Sequence, residues 1–123
     1  MFGFGKRKKY NGVVSTKLNN EYQIDTDHST NPRFPGILAY LKLIDKWWYL
    51  RKTEDEAALY IAVLYYAGIL EQGGQSDEST HLLSRITSIS KFGLSKRMIS
   101  PQSWDTCAEV INTVHNEMDI PEV

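Results

Sequence analysis

One cysteine, three histidines and a close pair of aspartates are the residues whose types could do chemistry in this 123-residue chain. Cys107 could act as a nucleophile with His81 or His115 as its base, since a thiol attacks only once a neighbour helps it ionise. Its setting argues otherwise. Cys107 lies three residues after Trp104 on an apolar stripe, with no glycine-rich or oxyanion-type turn around it. A free cysteine in that position reads as a small core residue. The stretch "DTDH" places Asp25, Asp27 and His28 together, and carboxylate and imidazole are ordinary metal ligands. Their spacing fits no established motif, and Asp and Ser side chains in such loops commonly cap turns. No GxGxxG, Walker loop, HExxH, CxxC or nucleophile elbow is present. No catalytic residue is assigned and no cofactor is implied.

Phosphate chemistry has two candidate sources. Lys6, Arg7, Lys8 and Lys9 follow Phe2 and Phe4, a composition suited at most to weak contact with a membrane surface. Arg85, Lys91, Lys96 and Arg97 lie on or just after a helix that could enter a DNA groove. The connection before that helix, "EQGGQSD", is long for a helix-turn-helix. The chain is also acidic overall once its first nine residues are set aside, and no Lys or Arg follows Arg97. Nucleic acid is therefore an unlikely partner.

The aromatics point to binding of another kind. In "DKWWYLRK" (45–52), helical spacing turns Trp48 toward the core, Trp47 to its flank and Tyr49 outward. With Tyr40, the residues Trp47 and Tyr49 are the candidate partner-binding positions, since aromatic side chains anchor protein interfaces.

The elements that must position these residues follow from pattern. Residues 1–9 read as a flexible basic tail and 10–123 as one globular domain. Residues 13–25 read as a β-hairpin turning at Asn19–Glu21, which gathers Leu18, Tyr22 and Ile24 on a mostly apolar face. Residues 25–36 are loop. A first helix spans about Pro35 to Arg51. A second, about 54–71, opens on the capping box "TEDE" and is apolar all round, so it should be central. A third begins near Ser76 and ends at Gly93. A fourth starts with Ser100 and Pro101 and carries Trp104, Cys107, Ala108, Ile111, Val114 and Met118 at i, i+3, i+4 spacing. The fold class is α+β, four helices around a central apolar helix with the hairpin packed against them.

A single cysteine and the lack of a secretory signal make a reducing, cytoplasmic setting the expectation. The longest uncharged apolar run, 57–70, is too short to span a bilayer. The function that fits best is a small non-catalytic interaction domain, self-associating through the first two of these helices or meeting another protein partner. The alternative is a small-molecule or metal-dependent enzyme with its site at the 25–36 loop. A DNA-binding regulator is the third reading.

Overall fold

A computed structural model of the protein describes residues 2–43 and 52–123, with side chains from Lys8 onward except at Leu41. Among these residues the architecture is all-helical, with no strand. The helices are α1 (Phe2–Asn20), α2 (Ile37–Leu43), α3 (Glu54–Gly73), α4 (Asp77–Ser95) and α5 (Pro101–Glu117). The α+β expectation is therefore corrected to all-α. The predicted hairpin at 13–25 is instead the second half of α1 and its exit loop. Val13, Val14 and Thr16 gave the stretch a strand-like composition, but its apolar residues serve a helical period. Tyr10, Val14 and Leu18 recur every four residues, and Val14 and Leu18 are fully buried. Asn19–Asn20 ends the helix rather than turning a hairpin. The Glu21 amide still donates to the Lys17 carbonyl at 2.8 Å, and Gln23 leaves in the left-handed region at φ 55°. Helix α1 begins at Phe2, inside the stretch read as a tail.

The central helix forms as its sequence demands. Thr53 Oγ1 accepts from the Glu56 amide at 3.1 Å, and the Thr53 amide donates back to Glu56 Oε1 at 3.0 Å. The Gly74 amide closes the other end on the Leu70 carbonyl at 2.8 Å, with φ 70°. Leu59, Ile61, Ala62, Val63, Tyr66 and Leu70 are buried, and α1, α4 and α5 all pack on this helix. Most of its apolar surface is thus covered within the chain, with Tyr60, Leu64 and Ala67 partly buried.

Helix α4 starts at the Ser76 cap and runs two residues past the predicted stop at Gly93. That glycine makes room rather than ending the helix. A Cβ there would lie 2.8 Å from Ile99 Cγ1, because the chain folds back over it. The reversal uses a Schellman arrangement: Met98 N donates to Gly93 O at 2.8 Å and Arg97 N to Leu94 O at 3.2 Å, with Arg97 left-handed at φ 59°. Helix α5 has the predicted Ser100 cap and Pro101 in its first turn.

Helices α3 and α5 start side by side and run parallel. Glu56 contacts Ser100 and Ser103 at one level, and Tyr66 contacts His115 further along. Helix α4, which follows α3 in the chain, packs on another side of α3, and α1 lies against the first half of α3. The buried residues of all these elements join in one core. No described helix is long and apolar enough to cross a membrane.

Candidate functional site

The reactive side chains are engaged in holding the fold. Cys107 is 1% exposed, and burial, reinforced by the Glu56 charge, pushes its thiol up to about 12. A nucleophilic cysteine needs the opposite shift. Its candidate bases are committed or distant. The Tyr66 hydroxyl and His115 Nε2 are 2.7 Å apart, and His115 Nδ1 lies 2.9 Å from the Pro121 carbonyl. A carbonyl only accepts, so Nδ1 carries a proton, and in the neutral ring Nε2 is the acceptor for the Tyr66 hydroxyl. His81 is exposed on α4, whereas Cys107 is buried.

The "DTDH" residues build a turn. Asp25 Oδ1 accepts from the Asp27 amide at 2.9 Å, and Oδ2 accepts from the Thr30 hydroxyl. Asp27 Oδ1 accepts from the Ser29 amide at 2.9 Å and its hydroxyl at 2.7 Å, and these two bonds lower the carboxyl below its ordinary range. His28 Nδ1 lies 3.1 Å from the Phe34 carbonyl and so donates to it. Among the described residues, no group of three or more His, Cys, Asp or Glu is placed to hold a metal ion.

The same loop walls a cleft of about 250 Å³ against α3 and α4. Ile24, Ile69 and Leu82 give it apolar walls, while Asp25, Asn31, Tyr65, Glu78 and Arg85 bring polar groups. Those groups bond largely to the protein itself. Asn31 Nδ2 donates to the Tyr65 hydroxyl at 3.0 Å and to the Asp25 carbonyl at 2.8 Å. Arg85 donates to Gln23 Oε1 at 2.8 Å, and Arg33 pairs with Glu78. The cleft is a seam where loop and helices are tied together.

Of the proposed partner contacts, Tyr40 lies within the described residues. Tyr40 turns inward against Phe34, ring centroids 4.8 Å apart, and is buried. Burial, then the neighbouring Tyr65, pushes its hydroxyl up to about 12. Trp47 and Tyr49 lie outside the described residues. Leu38 and Leu43, on the same short helix as Tyr40, are 60% and 73% exposed. Of the four cations proposed for nucleic acid, Arg85 belongs to the seam. Lys91, Lys96 and Arg97 are exposed at the far end of α4, beside the exposed Phe92 and Met98. The sequence reading takes these three cations as candidate nucleic-acid contacts without Phe92 and Met98, although "KFGLSKRM" shows the mixed basic and apolar composition.

One buried polar cluster joins the two parallel helices. Glu56 is 6% exposed, and its Oε1 accepts from Thr53. Its Oε2 accepts from the Ser100 amide (3.1 Å), the Ser100 hydroxyl (2.9 Å) and the Ser103 hydroxyl. Burial pushes this carboxyl up, but the bonds from Ser103, Thr53 and Ser100 outweigh it and hold the group at about 2. The arrangement resembles a double helix cap more than an acid–base site. No family model, no curated protein and no solved structure matches this chain.

Proposed function

We propose that the chain is a small non-catalytic binding domain that associates with a second copy of itself. Most polar groups of the cleft and the buried imidazole and carboxylate make internal bonds, and the thiol is packed in the core, which favours surface contact as the mode of action. One observation carries the self-association reading. On α2, Tyr40 faces the core while Leu38 and Leu43 stand largely in solvent. In sequence this helix leads directly into Trp47, Trp48 and Tyr49. The largely covered surface of α3 shifts the expected interface away from that helix and onto the α2 flank. A symmetric dimer sets one exposed segment against the same segment of its own copy. A cytoplasmic setting, with Cys107 kept reduced, accompanies this reading.

Light scattering over a rising concentration series tests it. The expected result is a dimer that the Leu38→Asp, Leu43→Asp double variant turns into a folded monomer. A wild-type monomer at every concentration, or a dimer indifferent to both substitutions, rules the reading out.

A further inference from the structure

Folding brings together cations that the sequence keeps apart. Lys6 to Lys9 lie on the first turns of α1, and Lys96 and Arg97 follow the end of α4. The start of α3 links them. The Tyr10 hydroxyl donates to the carbonyls of Lys52 (3.1 Å) and Thr53 (3.3 Å), and the Thr53 hydroxyl donates to the Met98 carbonyl (2.9 Å). Further along α1, Lys17 pairs with Asp55 at 3.0 Å. Moving from Lys17 back to Tyr10 therefore leads toward the start of α3, and the turns before Tyr10 continue past it. Both basic segments are therefore tied, through Tyr10 and Met98, to the end where α3 and α5 begin.

Four acids lie at this end, Glu54, Asp55, Glu56 and Asp105, and two of them are already compensated. Asp55 is paired with Lys17, and Glu56 lies beneath its capping hydroxyls. The opposite end, where α3 and α5 finish, carries Glu71, Glu117, Asp119 and Glu122. The chain has a net charge of only −1, yet it is basic at one end and acidic at the other.

Apolar side chains stand among the cations. Phe92 is 56% exposed, with the Lys96 ammonium 5.8 Å from its ring centre, and Met98 is exposed beside it. Arg97 occupies a left-handed position where glycine is the usual residue, so a charge stands where the backbone would favour none.

We infer that the end formed by Lys8, Lys9, Phe92, Lys96, Arg97 and Met98 docks on an anionic lipid surface. Cations on one face add their attraction to an extended negative surface, whereas the four of the first segment alone give marginal binding. Phe92 and Met98 supply what a phosphate backbone does not use and a bilayer interface does, namely apolar groups that enter the headgroup boundary. The acidic end points away from the membrane in this orientation.

The test is co-sedimentation of the full chain with vesicles. Binding is expected to phosphatidylcholine vesicles containing phosphatidylserine and not to phosphatidylcholine alone, and it weakens as salt rises. Removing the charges of Lys96 and Arg97, as Lys96→Ala with Arg97→Gly, lowers partitioning about 30-fold. Phe92→Ser lowers it about tenfold. Arg97→Gly alone should raise the melting temperature while weakening binding, which separates lost contact from lost folding. Failure to bind the anionic vesicles overturns the inference, as does binding that ignores these substitutions. Equal affinity for duplex DNA, indifferent to Phe92→Ser, makes the end a general polyanion site and also overturns it. If the same variants dissolve a dimer instead, the end belongs to a second copy. Leu38 and Leu43 lie on another helix, so the two proposals fail separately.

Discussion

At the scale of single residues, Glu56 shows how a buried charge is made tolerable. Hydrogen bonds from the Thr53 amide, the Ser100 amide and hydroxyl and the Ser103 hydroxyl replace the water it loses. The positive ends of α3 and α5 lie beside it, which favours the anion further. Its folded value of about 2 is below the ordinary 4.5. A depressed carboxyl contributes stability that is present above the ordinary value and is lost as pH falls through the folded one. Chemical denaturation should therefore show stability declining from about pH 5 toward pH 2, with a shallower decline in Glu56→Gln. Equal slopes for the two proteins would show that the carboxylate does not drive the loss. The capping box was legible in "TEDE" because all its partners lie within four residues. The second half of the cluster was not legible, because Ser100 and Ser103 reach Glu56 only after folding.

At the scale of elements, local signals proved as informative as their range. Thr53, Ser76 and Ser100 start helices where their types and neighbours place them. The hairpin failed because Val13, Val14 and Thr16 suit a strand by composition, while the every-fourth spacing of Tyr10, Val14 and Leu18 suits a helix. The spacing prevailed because it lets one face of α1 pack on α3. Gly93 was misread for a related reason. A glycine late in a helical pattern resembles a stop, and only the returning Ile99 shows it to be a site of close approach. Gly→Ala within a helix ordinarily stabilises by about 1 kcal/mol. Here Ile99 blocks the new methyl, so Gly93→Ala should instead destabilise by roughly 1–3 kcal/mol, measured as a lower urea midpoint. A raised midpoint would mean that the 96–99 turn yields easily.

At the scale of the whole molecule, the sequence revealed an excess of basic residues at the start and of acidic residues toward the end. It could not reveal that these become opposite ends of a bundle. That separation depends on α3 and α5 running parallel, on Tyr10 meeting Thr53 and on Thr53 meeting Met98, contacts between residues far apart in the chain. Most core positions were readable as apolar stripes, and helix α3 was correctly read as central. The seam at Asp25, Asn31 and Tyr65 was not readable, since none of its long-range bonds has a local pattern.

Cys107 has a consequence beyond its place in the core. As the sole thiol of the chain, buried and held protonated, it is a built-in reporter of opening. A thiol-specific reagent can reach it only when the packing of α5 against α3 loosens. When closing is fast relative to reaction, the labelling rate is the rate of an exposed thiol scaled down by the open population. Labelling followed against denaturant should extrapolate either to the global unfolding free energy or to a smaller value. The smaller value would mean that α5 separates from α3 before the rest of the bundle gives way.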